Sequence, residues 1–192
     1  MPDELNKQLE GFFNTYLSDI ISESDVKEQI ETFFQKGLDK AELQFNMNFF
    51  VRPAKIDFLT AYTFDLIKGM TQDSVDLLRD ELRRGIMNLD SVSKIKERVM
   101  NVLDKTDINA RRIVRTETVR ALNEGNYDGA LQSELDLKKE WSAHLDKRTS
   151  TICRTLNGKQ VGLKEKFKYK DKEFNLPPAH PNCRSRCIYV QI

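Results

Sequence analysis

Four side chains near the carboxyl-terminal end of this 192-residue sequence carry the donor atoms best suited to chemistry: Cys153, His180, Cys183 and Cys187. Four nitrogen or sulfur donors is the number that tetrahedral zinc takes. A small lobe with little apolar core also gains folding energy directly from such a clip. The same residues have a plainer reading, as buried free thiols with His180 a hydrogen-bonding core residue. Cys187 in particular reads either as a fourth ligand or as a strand residue facing a core. A nucleophile and base pair, Cys153 or Cys183 with His180 or His144, is the third reading. No glycine-rich phosphate loop, nucleophile elbow or two-histidine helix motif accompanies it. The expectation is therefore that the chain is not an enzyme, with a metal-dependent nuclease as the weaker alternative. Three cysteines cannot all pair with one another, and reduced thiols in a cytosolic product are expected.

Around these donors the charge is unevenly spread. Residues 1–137 hold 18 Lys and Arg against 25 Asp and Glu, a balance of −7, whereas residues 138–192 hold 13 against 5, a balance of +8. Lys164, Lys166, Lys168, Lys170, Lys172, Arg184 and Arg186 lie in this basic part. They suit contacts to double-stranded DNA phosphates without sequence preference, or to an acidic protein surface. A solvated lysine-rich hairpin is the bland counterpart. No stretch approaches the roughly 20 apolar residues of a membrane span, so no membrane partner is expected. Residues Met1 to Glu10 lack a basic-then-apolar leader pattern.

The elements that must position these residues are mostly helical. Phe12, Phe13, Tyr16, Leu17 and Ile20 recur at helical spacing, as do Val26, Ile30, Phe33, Phe34 and Leu38. After Arg52-Pro53 a run with Phe58, Leu59, Tyr62, Phe64, Leu66 and Ile67 ends near Gly69. Three short helices then follow: Thr71 or Ser74 caps the first, which ends near Asn88-Leu89-Asp90. Asp90 or Ser91 caps the second, and Thr106 or Asp107 the third. Their stripes are Val75, Leu78, Leu82 and Ile86; Val92, Ile95, Val99 and Leu103; and Ala110, Ile113, Val114, Glu117 and Ala121. Beyond Gly129 the texture turns to strands: Glu140 to Leu145 alternates, Lys166 to Phe174 reads as a hairpin, and Cys187 to Val190 closes the lobe. Between them Ser150 to Leu156 forms a helical turn ended by Asn157-Gly158. The fold class expected is α+β: an amino-terminal helical segment over 1–69, a helical core over 70–137 and a small basic β-rich lobe over 138–192.

Two blocks resemble one family. The first is Arg115-Thr116-Glu117-Thr118 with Asn123 and Gly125. The second runs from Trp141 through Asp146-Lys147-Arg148-Thr149, Cys153 and Leu156-Asn157-Gly158-Lys159 to Pro177-Pro178-Ala179-His180-Pro181-Asn182-Cys183-Arg184. In order and spacing these resemble the phage head morphogenesis proteins related to protein F of phage Mu, over roughly residues 70 to 187. The resemblance implies a minor capsid protein inside the procapsid near the portal, built in the host cytoplasm and kept in the virion. The partners it implies are the portal protein and scaffold or capsid protein, with a part in DNA packaging or ejection. Many relatives carry a cysteine pair at each half of the cluster, where this sequence has Ser150 and Ser185.

Read physically, Glu117, Trp141, Asp146, Arg148 and His180 form a structural lock. Glu117 sits among apolar neighbours of its helix face, where a carboxylate needs a basic partner. Arg148, or another basic residue of the tail, offers the donors to fasten tail to body. Asp146 is placed to accept from backbone N–H groups of the Ser150 turn, and Pro177-Pro178 and Pro181 hold the chain extended before Cys183.

Overall fold

A computed structural model describes residues 22–88 and 90–192, together with Gly11 and Thr15. The stripe Phe12, Phe13, Tyr16, Leu17 and Ile20 lies outside the described residues, as do Leu89 and the side chains of Ile86, Val92 and Ile95. Three long helices, α1 (Glu23–Phe45), α2 (Pro53–Met87) and α3 (Val92–Gln132), precede a small sheet-bearing lobe, so the fold is α+β. The start of α1 is set by a reciprocal cap. The Asp25 N–H donates to Ser22 Oγ at 3.1 Å, and the Ser22 N–H donates to Asp25 Oδ2 at 3.3 Å. Pro53 opens α2 from the first helical position, where its missing N–H costs nothing.

The three short helices expected between 71 and 122 merge into the longer α2 and α3. Thr71 and Ser74 do not cap; their hydroxyls donate back to Ile67 O at 2.9 Å and Met70 O at 3.0 Å. Thr106 does the same to Val102 O at 2.9 Å. A hydroxyl that turns onto the carbonyl four residues earlier leaves the helical ladder intact, and the cap signal is silenced. As expected, α2 ends and α3 begins near Asn88, at Met87 and Val92. On α2 the apolar run also divides: Leu59 and Ile67 are buried, while Phe58, Tyr62 and Leu66 follow at four-residue spacing on the exposed side.

The chain forms two compact units, one of Met1–Val26 with Thr60–Val114 and the other of Lys27–Leu59 with Arg115–Ile192. In the first, Val75, Leu78, Val102 and Leu103 make the core, with Leu82 and Val99 against it. A buried contact of 2.9 Å between Thr106 Oγ1 and Ser74 Oγ joins α2 to α3 there. Arg98 closes the α2–α3 turn by reaching Glu81 at 2.7 Å and Asp90 at 2.9 Å.

In the second unit, α1 and α3 cross through glycines. A β-carbon on Gly37 would lie 2.3 Å from the Leu122 carbonyl oxygen, and one on Gly125 would lie 2.0 Å from that of Phe34. One turn on, a β-carbon on Gly129 would lie 2.4 Å from the Ala41 methyl carbon. Small residues every four positions on both helices let the backbones touch. The stripe Ile30, Phe34, Leu38 and Ala41 is buried as a result.

The lobe begins with β1 (Leu137–Ser142), the central strand of a three-stranded antiparallel sheet between β2 (Gln160–Gly162) and β5 (Arg186–Gln191). A separate hairpin pairs β3 (Phe167–Tyr169) with β4 (Lys172–Phe174). Period-two alternation puts Leu137, Lys139 and Trp141 of β1 on the same buried face as Cys187 and Tyr189 of β5. Trp141 stands directly opposite Cys187 and Lys139 opposite Tyr189. The short helix α4 (Thr151–Leu156) follows β1, capped by Ser150, whose hydroxyl accepts from the Cys153 N–H. Asn157 and Gly158, the latter at φ +77°, end it.

Candidate functional site

Cys153 is delivered by α4, and His180 and Cys183 by the loop between β4 and β5. Their side chains converge. Cys153 Sγ lies 3.2 Å from His180 Nε2 and 3.6 Å from Cys183 Sγ. The other ring nitrogen of His180 is 2.8 Å from the Pro181 carbonyl oxygen, which can only accept, so Nδ1 carries the proton. Nε2 therefore presents its lone pair to the sulfurs and to Ser150 Oγ, 2.7 Å away. Both thiols are buried. A hydrogen bond from Cys153 lowers the Cys183 thiol, assisted by the backbone of Ser185 and Ala179, while the same contact raises Cys153. One proton thus serves two sulfurs.

Cys187 is not part of this cluster, which among the described residues consists of Cys153, His180 and Cys183. Of the two readings of Cys187, as a fourth ligand or as a strand residue facing a core, the structure takes the second: strand alternation turns it into the sheet core, where burial pushes its thiol up to about 12.

The cluster loop is tied to α3 by the first sequence block. Thr116 Oγ1 accepts from the Asn182 N–H at 3.0 Å. Asn123, itself buried, accepts from the Cys187 N–H at 2.9 Å through Oδ1 and donates through Nδ2 to the Ser185 carbonyl at 3.3 Å. One side chain therefore satisfies two buried backbone groups of a segment with few ladder bonds of its own.

Other members of the expected lock fall differently. Glu117 is buried as expected, but its partner is Arg120 of its own helix at 2.6 Å rather than a residue of the tail. Arg148 is exposed and enters the network through its backbone N–H, which donates to Asp146 Oδ1 at 2.8 Å. The arginine that grips Asp146 is Arg184, through Nη1 at 2.8 Å and Nη2 at 2.6 Å. Arg184 follows Cys183 directly, so the cluster loop carries it to Asp146. Asp146 also accepts from the Thr149 hydroxyl, and Arg154 donates to its backbone carbonyl. This turn delivers Ser150 and Cys153 to the cluster.

The Arg184 guanidinium, with the Arg148 N–H and the Thr149 hydroxyl, holds the Asp146 carboxyl well below the usual carboxylate range. A carboxyl depressed in the folded state contributes stability that is complete above its ordinary value, 3.8, and is lost as pH falls toward the folded-state value. Stability of the wild-type protein should therefore drop between about pH 4 and pH 2, and Asp146→Asn should drop less steeply over that window. Urea midpoints at stepped pH measure both slopes, and equal slopes would count against the pairing.

Trp141, the remaining lock residue, is fully buried, edge-on to Phe167 at 5.2 Å and Phe174 at 6.2 Å between centroids. Beside it lies a residue the sequence reading passed over, Lys139, also fully buried. Its ammonium donates to Asn175 Oδ1 and sits 5.1 Å from the Tyr127 ring and 5.6 Å from the Phe167 ring. Burial pushes Lys139 below its ordinary value. The signal was present in the alternation Leu137-Lys138-Lys139-Glu140-Trp141, which places Lys139 on the tryptophan side.

Of the basic residues, Lys164, Lys166, Lys168, Lys170, Lys172 and Arg186 are exposed. Lys166 and Lys168 share Glu173 at 3.6 and 3.5 Å. Arg184 is exposed too and is paired with Asp146 at 2.6 Å.

The profile of a family described as phage Mu protein F like protein matches residues 76–188. The chain is 30% identical over 137 residues to Minor head protein GP7 of Bacillus phage SPP1, covering 65% of this chain and 44% of that protein. It is 27% identical over 129 residues to the NAD(+)–arginine ADP-ribosyltransferase EFV of Enterococcus faecalis, covering 58% of this chain and 26% of that protein. The chain thus matches less than half the length of either relative. No solved structure matches.

Proposed function

This chain belongs to the phage Mu protein F like family, and from that premise we propose that it serves as a minor head protein, acting in capsid assembly at the portal and in DNA packaging or ejection. The observation that carries this reading is where the family's residues go. Within the matched stretch, Thr116 and Asn123 bond the backbone of the cluster loop and β5, Asp146 pairs with Arg184, and Trp141 packs against Phe167 and Phe174. They fasten a cationic lobe onto a helix, and a fastened surface is what an assembly partner needs. In this reading the role is structural rather than catalytic, the partners are portal, scaffold or capsid protein, and the site of action is the capsid interior after assembly in the host cytoplasm. Among the described residues no helix is long and apolar enough to cross a membrane.

Co-expression with the portal protein of the same phage, followed by size-exclusion chromatography, tests it. Co-elution is expected; separate elution together with normal heads after gene deletion would reject the assembly role.

The exposed lysines favour a second, compatible reading, contact with double-stranded DNA without sequence preference. About five phosphate contacts predict an affinity that falls by 10²–10³ between roughly 50 and 200 mM salt. Fluorescence anisotropy should find that slope in the wild type and a flatter one in Lys166→Glu with Lys170→Glu and Lys172→Glu. Absence of binding at low salt would leave the lobe to an acidic protein surface.

A further inference from the structure

We propose that Cys153, His180 and Cys183 bind one zinc ion through two thiolates and one imidazole, with the fourth position open to a water. Tetrahedral zinc, with bonds of about 2.3 Å to sulfur and about 2.0 Å to nitrogen, sets its donors about 3.5 to 3.8 Å apart. The sulfur–sulfur separation of 3.6 Å and the sulfur–nitrogen separation of 3.2 Å fall on or just inside that spacing. The three donor atoms all lie within 4.8 Å of one another.

The second observation is the histidine's outer contact. A zinc-bound imidazole coordinates through one nitrogen and donates from the other, often to a backbone carbonyl. His180 is already in that state, with Nδ1 committed to the Pro181 carbonyl and Nε2 aimed at the sulfurs. The third is the space beside the donors. A cleft of about 20 Å³ opens on the cluster, lined by Ser150, Ser185, Arg148 and Arg184 among others. That volume holds about one water, and Ser150 Oγ, 2.7 Å from Nε2, stands beside it. Ser185, another of the lining residues, is buried.

Charge closes the argument. Two thiolates and one divalent ion sum to neutrality, so the ion removes the obstacle to ionising both sulfurs in a buried site; the one proton the pair shares passes to solvent. The clip joins α4 to the loop between β4 and β5, a stretch with no regular strand between Phe174 and Arg186.

The test uses the full chain, expressed with added zinc and purified in reductant without chelator. Elemental analysis should find about one zinc per chain, and cobalt(II) exchanged into the site should give thiolate-to-metal charge-transfer absorption. Cys153→Ser and Cys183→Ser should each reduce occupancy to below about a tenth, and Cys187→Ser should leave it at about one. A chelator should lower the melting temperature by about 5–10 °C, restored by zinc. Wild-type protein holding less than about a tenth of an equivalent, with no cobalt–thiolate band, overturns the proposal; so does an ordinary Cys153–Cys183 disulfide in its place, or equal loss in Cys187→Ser. The wild-type stoichiometry and cobalt spectrum decide the matter even if a variant fails to fold, and neither depends on the assembly role.

Discussion

Gly125→Ala should destabilise the protein by about 3 kcal/mol, near the upper end of what overpacking costs. Intrinsic propensity alone argues the reverse, since alanine in a helix interior gains about 1 kcal/mol over glycine. Geometry decides between them. The new methyl carbon would lie 2.0 Å from the Phe34 carbonyl oxygen and 2.8 Å from its carbon, both backbone atoms that cannot swing aside. Relief requires α1 and α3 to separate, which opens the buried stripe of α1. Gly69→Ala is the internal control: it too is mid-helix, but nothing lies within 4 Å of the added carbon, so it should stabilise by about 0.5–1 kcal/mol. Urea unfolding of both variants would show opposite signs. A neutral or stabilising Gly125→Ala would mean the helices do not touch there.

Trp141→Ala is expected to cost about 3–5 kcal/mol, the range for removing a buried aromatic from a packed core. The indole packs edge-on to two phenylalanines, and no smaller side chain on β1 can fill that space. Its N–H finds no acceptor among the described residues, so the nitrogen adds nothing that phenylalanine would forfeit. Trp141→Phe should therefore cost less than about 2 kcal/mol. If the two variants were equally damaging, the indole nitrogen would have to be engaged and the packing account would be incomplete. Thermal or urea denaturation at fixed metal content separates the cases.

How much of this was legible beforehand depends on the range of the interaction. The lobe's turns are written locally: Ser150 before α4, Asn157-Gly158 after it and Lys170-Asp171 between β3 and β4 each fix a few dihedral angles through nearby groups. The convergence of Cys153 with His180 and Cys183 was also readable, because the resemblance named the positions and donor chemistry favoured bringing them together. That Arg184 would hold Asp146 was not, since it reaches across 38 positions and only the path of the intervening chain brings the two together. For Cys187, residue type suggested a ligand and strand position a core side chain, and strand alternation decides for the core. Thr71, Ser74 and Thr106 show the opposite limit: a cap residue that bonds backward within its helix carries the same letter as one that ends it.

The order in which the ribosome delivers the pieces follows from the discontinuous second unit. Residues 27–59 emerge first, but their companions begin only at Arg115, after the whole of 60–114 has been made. At about 5–20 residues per second that delay is roughly 3–11 s. During it the glycine face of α1 has no docking surface, and its exposed Phe34 and Leu38 are the side chains a cellular holdase would encounter.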